Sequence, residues 1–138
     1  MTLTLTIDPA MPVHVHAIEV ARKTKVTLRQ LQWWDEQRVI TPMQLGHRRL
    51  YHVEDVIEVA LVAMLRKKGF SLQQVRQLIV KIRSHARLVA EIGGSMYVMA
   101  DLKLRSLHLE RDAVAACELM VLAKAPMIMV GVLRVEGV

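Results

Sequence analysis

Apolar residues recur at helical spacing through much of the first part of the chain. The clearest case is Val53 to Lys68, where they form a broad stripe. This stretch ends in Arg66-Lys67-Lys68 followed by Gly69, and cations and glycine are both favoured at helix C-termini. The same spacing predicts a short helix from about Ala17 to Lys23. It predicts another helix that begins after Ser71, with a capping box at its start, and continues through Ile82.

Other stretches alternate between polar and apolar residues, which is typical of strands. Together with the predicted helices, these stretches predict a mainly helical first part with a β-hairpin wing, followed by a small β-β-α-β module. The predicted fold class is therefore α+β. The predicted strands are residues 2–7, a tight hairpin over 43–52 around Gly46, strands over 97–101 and 104–109, and a buried strand over 127–135, with a helix from Glu110 to about Ala123 before the last of them.

The stretch TLRQLQWWDEQ (residues 27–37) carries a complete helix start signal. Thr27 is a good N-cap, and Gln30 completes a capping box three residues later. Val26 and Leu31 are placed to form a hydrophobic staple across the cap. We expect this helix to extend to about Val39, since proline at position 42 prevents further extension.

The two adjacent tryptophans in this stretch cannot share one helix face, because neighbours on a helix point about 100° apart. With Leu28 and Leu31 facing the core, Trp34 lies beside the buried face. Trp33 points away from it, within about 40° of Arg29. We therefore predict that Trp34 is a core residue and that Trp33 is exposed beside an arginine.

The charge of the chain is concentrated in its first part. Residues 1–83 hold 13 Lys and Arg against 7 Asp and Glu, a net charge of +6, whereas residues 84–138 hold 6 of each. This asymmetry indicates a polyanionic partner for the first part, or a solvated basic surface. The single cysteine, Cys117, excludes a disulfide framework within one chain, and its apolar neighbours favour packing over reactivity.

Three segments in order resemble the MerR family of winged-helix transcription regulators, over residues 14–83. They are IEVARKTKVTLRQLQWWDEQRVITP, GHRRLYHVEDV and LRKKGFSLQQVRQLI. The resemblance implies a DNA-binding domain that acts as a dimer on a palindromic site in double-stranded DNA, with distortion of the DNA at the promoter. The sequence departs from the family pattern at Gln32, where arginine is usual, and at Lys25, where glycine is usual.

On this basis the second helix is a recognition helix whose first turn meets base edges in the major groove. The guanidinium of Arg29 can bond guanine bidentately, although a phosphate contact or a salt bridge to Glu36 is open to it as well. Trp33 can donate its N–H to a phosphate, or pack under the wing. Tyr51 can anchor the base of the wing or reach a phosphate. The full set of candidate DNA contacts is Lys23, Lys25, Thr27, Arg29, Gln30, Trp33, Arg38, His47, Arg48, Arg49 and Tyr51.

The remaining parts of the chain are predicted to be an arm over residues 1–13, a linker over 84–94 and a dimerisation or effector module over 95–138. The helix after Ser71 has no sustained heptads, and Gly93-Gly94 ends it, so a long dimerising coiled coil is not expected. We therefore assign a homodimer contact to residues 95–138, where apolar residues are abundant.

The same residues also bear on metal binding, on enzymatic activity and on other binding functions. His14 and His16 have metal-compatible spacing, but no further ligand lies nearby in sequence, so no metal and no cofactor are expected. No catalytic constellation or membrane span stands out, which favours a cytoplasmic, nucleoid-associated protein that is not an enzyme. The sequence assigns no small-molecule effector. The alternatives are an architectural or recombination-associated DNA-binding protein, and an antitoxin-like adaptor whose C-terminal half binds another protein.

Overall fold

The computed structural model describes residues 3–7, 15–101, 106–123 and 127–135, the first of these ranges as backbone only. Helices and strands alternate in blocks along the chain. In order they are β1 (Leu3–Ile7), β2 (Val15–His16), α1 (Ala17–Thr24), α2 (Leu28–Glu36), β3 (Met43–Leu45), β4 (Arg48–Tyr51), α3 (Val53–Lys67), α4 (Leu72–Gln77), α5 (Ile79–Ile92), β5 (Gly94–Asp101), β6 (Ser106–Glu110), α6 (Ala113–Leu122) and β7 (Met127–Val135).

Most predicted elements are confirmed within a few residues, including the β5, β6, α6, β7 order that was predicted from alternation. The helix predicted to start after Ser71 is in fact two helices, α4 and α5, which meet at Leu78. The backbone N–H of Leu78 donates to the carbonyl of Val75, three residues back, at 3.0 Å. This tighter turn ends α4, and α5 then begins with its own bond from Ile82 to Leu78.

The segment 84–94, which we predicted to be a linker, is mostly helix. Its residues 84–92 form the second half of α5. Ile82, Ala86 and Val89 are buried at helical spacing, and this continuation of the apolar stripe explains why the helix does not stop earlier. The helix ends where Gly93 adopts a φ of 64°, as the glycine pair predicted.

Two sheets are present in the described part of the chain. One has the strand order β2-β4-β3 and contains the wing, and the other has the order β1-β7-β5-β6. Strand β1 lies parallel to β7, with Leu3 opposite Gly131. Residues 3–7 of the predicted arm are therefore a strand of the C-terminal sheet, contributed by the same chain, while residues 8–13 lie outside the described ranges.

Helix α3 lies at the centre of the molecule and is apolar on nearly every side. All seven residues from Val59 to Leu65 are buried, as are Val56 and Ile57. The helix contacts α1, α4, α5 and β4 of the first part, and it also contacts β1 and β7 of the C-terminal sheet. A helix of this kind needs partners all round, so one continuous core joins the helix-turn-helix part to the C-terminal sheet.

Candidate nucleic-acid interface

Helix α2 begins with the capping box that its sequence predicts. The backbone N–H of Gln30 donates to the Thr27 hydroxyl oxygen at 3.0 Å. In return, the Thr27 backbone N–H donates to the Gln30 side-chain oxygen at 2.9 Å. These bonds satisfy two backbone donors at the helix start, so Thr27 and Gln30 both hold the helix in place.

The two tryptophans of α2 are placed as the angular argument predicted, although Leu28, which that argument took to face the core, is 50% exposed. Leu31 and Trp34 are buried, whereas Trp33 is 42% exposed. Arg29 is exposed on the same side as Trp33. No ion pair joins Arg29 to Glu36 in the described structure, so the guanidinium points to solvent without that partner.

The wing is a short antiparallel hairpin beside α2. Strands β3 and β4 pair from Met43 opposite Leu50 to Leu45 opposite Arg48. Gly46 in the turn has a φ of 64°, a conformation that favours glycine. His47 and Arg48 are exposed at the tip, where the predicted phosphate contacts would require them.

Arg49 has a different environment from Arg48. Its Nε donates to the Asp35 carboxylate at 2.7 Å, and both side chains are largely buried. This ion pair ties the wing to the C-terminal half of α2. Arg49 therefore holds the wing in place, which differs from the free wing cation that the sequence suggested.

Tyr51 lies at the base of the wing and is 1% exposed. Burial, and next the nearby Asp35 carboxylate, raise the pKa of its hydroxyl to about 12. Among the described residues, that hydroxyl has no hydrogen-bond partner. Of the two roles considered for Tyr51, its position supports the anchor of the wing, because a buried hydroxyl cannot reach a phosphate.

The remaining predicted cations flank α2. Lys25 is exposed in the turn before the helix, with a φ of 59°, and Arg38 is exposed just after it, with a φ of 56°. Lys23 is half-buried in the last turn of α1. The exposed face of α2 thus has a cation near each end and the wing at its side.

Comparison with known proteins agrees with this arrangement. Residues 18–81 match the family model described as MerR HTH family regulatory protein. This segment is a MerR-type helix-turn-helix. The chain is also 29% identical over 77 residues to the HTH-type transcriptional regulator CueR of Yersinia pestis, a match that covers 54% of this chain and 55% of that protein. The chain thus spans about half the length of the curated relative that it matches.

A basic cleft beside the MerR segment's recognition helix was not predicted. It has a volume of about 330 Å³ and is lined by Lys25, by Gln30 of α2, and by Arg66 and Lys67 at the end of α3. Arg66 also donates to the carbonyl of Phe70 at 2.8 Å. The signal was the Arg66-Lys67-Lys68 run, which we interpreted as a helix end, since sequence alone does not bring α3 beside the turn before α2.

The C-terminal end of α2 is held by a second contact that sequence reasoning missed. Arg76 of α4 donates to the backbone carbonyl of Gln37 at 2.8 Å and to its side-chain oxygen at 2.9 Å. The two residues are 39 positions apart, so no local pattern could reveal the pair. Together with the Arg49–Asp35 ion pair, it fixes the MerR segment's recognition helix against both the wing and α4.

The described ranges contain neither a candidate metal site nor a helix that could span a membrane. Across the described ranges, no three His, Cys, Asp or Glu side chains gather into a candidate metal site. His16 is exposed, and His14 lies outside the described residues. Among the described helices, none has the length and apolar character needed to cross a membrane.

Proposed function

We propose that this protein is a sequence-specific transcription regulator of MerR type that binds double-stranded DNA. Helix α2 enters the major groove and the wing rests on the sugar-phosphate backbone. The observation that supports this most strongly is the outward face of α2, where Arg29 and Trp33 are exposed, while the wing is tied to the C-terminal half of the same helix through the Arg49–Asp35 ion pair. The opposite face of the same helix is buried, so this is the side that can meet a partner.

Each of these contacts has a distinct role in the proposal. Arg29 in the first turn of α2 reads guanine, and Trp33 donates its indole N–H to a phosphate. Arg48 and His47 contact the backbone from the wing, and Lys25 and Arg38 do so from the two ends of α2. Base contacts set sequence preference, whereas phosphate contacts set affinity for every sequence.

Binding-site mapping with the full chain, followed by two substitutions, tests this assignment. Arg29→Ala should relax sequence preference and cost about 1–3 kcal/mol on the preferred site. Arg48→Ala should weaken binding to all sequences alike. Arg87→Ala, which removes an exposed cation from α5, outside both the proposed DNA face and the proposed dimer contact, serves as the matched control and should change neither. Wild-type binding by both Arg29→Ala and Arg48→Ala would contradict the proposed surface.

The salt dependence of binding gives a second measure of the same surface. If the three cations assigned to the backbone, Lys25, Arg38 and Arg48, all contact phosphates, log K against log salt should have a slope of about −3 per subunit. A slope close to zero would contradict backbone contact by this face. Because Arg49 already pairs with Asp35, Arg49→Ala should change the slope less than Arg48→Ala does.

We further propose that the protein acts as a homodimer on a palindromic site, joined through residues 95–138. Helix α6 supports this, because its outer face is apolar and uncovered: Val114 is 63% exposed, Val121 82% and Leu122 77%. Exposed apolar patches of this kind are typical of protein contacts. A second copy fits, since residues 84–138 have no net charge to oppose self-association.

Light scattering with the full chain tests the dimer. Val121→Asp should convert it to a monomer that keeps its fold, since the side chain is already exposed. A wild-type monomer at tens of micromolar would contradict the dimer. A different protein that copurifies with the wild type, and is lost with Val121→Asp, would support the adaptor alternative instead. A cytoplasmic location without enzymatic activity completes the proposal.

A further inference from the structure

The exposed face of α2 holds one acidic side chain among groups suited to bind DNA. Arg29, Gln32, Trp33 and Glu36 follow one another at positions i, i+3, i+4 and i+7, which places them within about 100° of arc on the helix. All four are exposed, and they line one open depression of about 540 Å³. Glu36 therefore shares the face that is proposed to enter the groove.

A side-chain hydrogen bond fixes the relation between two of these groups. The Gln32 Nε2 donates to the Glu36 Oε1 at 3.2 Å, across one turn of the helix. An amide has a second N–H and an oxygen, and a carboxylate accepts several hydrogen bonds. The pair thus keeps an acceptor on Glu36, and both a donor and an acceptor on Gln32, available to a base edge.

A carboxylate beside a polyanion lowers affinity for every sequence, because like charges repel. Within the major groove, however, cytosine presents an amino donor at N4, and a glutamate side chain can accept from it. A guanine at the same place presents only acceptors, O6 and N7, which a carboxylate repels. A negative charge on this face therefore discriminates between bases even though it weakens overall binding.

We propose that Glu36 is a specificity-determining residue that selects cytosine, with Gln32 positioning its carboxylate. This rests on the proposed DNA-binding function. Arg29 and Glu36 are seven residues apart, or about 10 Å along the helix axis. With about 3.4 Å between successive base pairs, the cytosine should lie about three base pairs from the guanine that Arg29 reads.

Selection from a randomised double-stranded DNA library with the full chain tests the proposal. The wild type should yield a motif in which a guanine set by Arg29 and a cytosine set by Glu36 are about three pairs apart. Glu36→Gln should reduce the preference at the cytosine position by about tenfold while leaving the guanine position intact. It should also bind unrelated DNA more tightly than the wild type does, because one repulsive charge is gone.

Matched variants make the outcome decisive. Gln32→Ala should weaken the cytosine preference less than Glu36→Gln, since it removes a positioning group only. Glu91→Gln, at an exposed glutamate of α5, should leave the motif unchanged. If Glu36→Gln raises affinity for all sequences equally and keeps the motif, Glu36 acts by repulsion alone and the inference is overturned. A wild type that selects no motif would instead contradict the proposed function.

Discussion

Helices α2 and α6 have similar lengths but opposite surfaces. Helix α2 buries Leu31 and Trp34 and exposes mainly polar and charged side chains, together with Leu28 and Trp33. Helix α6 buries only Ala116 among its described residues and exposes valine and leucine instead. A polar outer face suits a charged, hydrated partner such as DNA, and an apolar one suits another protein surface. The two halves of the chain therefore present surfaces suited to different kinds of partner.

Truncation of one apolar side chain in each helix should give the largest difference in unfolding free energy between the two helices. Trp34→Ala should destabilise the fold by about 3–5 kcal/mol, because it leaves a cavity in the core. Val121→Ala in α6 should stay within about 0.5 kcal/mol, as expected of an exposed side chain. Urea unfolding in dilute solution measures both, with Trp33→Ala as a second exposed control. A cost for Val121→Ala close to that of Trp34→Ala would show that the α6 face is covered.

A change of pH should test whether the two helices share one unfolding unit. Burial, and next the Asp55 carboxylate, raise the pKa of Glu58 on α3 from 4.5 to about 7, while Arg83 and Arg87 oppose the shift. The folded chain therefore keeps this proton over a range where the unfolded chain has lost it. The contribution of Glu58 to stability should be largest below about pH 4.5 and should be lost as the pH rises through about 7. Because the side chain is only half-buried and solvent screens its charge, we expect a loss of roughly 2 kcal/mol, less than the full shift would give.

Glu58→Gln should remove this contribution, which isolates it from His85, whose pKa burial lowers. The quantity to measure is the difference in unfolding free energy between variant and wild type at pH 5 and pH 8. Hydrogen exchange then resolves the helices. If α6 belongs to the same unfolding unit as α2, the protection of its amides from exchange should change with pH as that of the α2 amides does. Protection in α6 that does not change with pH would show that the two helices unfold separately.

Removal of each N-cap should sharpen the comparison of the two helix starts. Thr27→Ala removes the hydroxyl that accepts from the Gln30 backbone N–H and donates to the Gln30 side-chain oxygen, while the bond from the residue 27 backbone N–H remains; it should cost about 1 kcal/mol. Asp112 accepts a single bond from Val114 at 3.0 Å, so Asp112→Ala should cost less. Thermal unfolding measures both changes. An equal loss in the two variants would contradict the stronger cap that we assign to Thr27.

The smallest effect is expected beneath the wing, and it has the opposite sign. Tyr51→Phe removes a buried hydroxyl that has no partner, and should stabilise the fold by about 0.5–1 kcal/mol. DNA binding should be unchanged if Tyr51 is an anchor. A loss of DNA affinity in a variant that keeps its fold would instead support a contact between the Tyr51 hydroxyl and a phosphate.

Local signals explain what the sequence could predict. The α2 start, the two tryptophan environments and the wing all follow from spacing within a few residues, and each was confirmed. The existence of α6 was predicted, but its exposure was not, because an apolar helix is expected to be buried. The Arg49–Asp35 pair and the linker that proved helical depended on contacts between elements, which no single stretch encodes.

The two arginine contacts at the C-terminal end of α2 have a mechanical consequence. Arg49 holds Asp35 from the wing, and Arg76 holds Gln37 from α4, while the capping box secures the other end. A helix that is held at both ends cannot tilt to fit a groove of the wrong width. The adjustment must then come from the double helix, so stiff and pliable DNA sequences with identical contacted bases should be bound with different affinities.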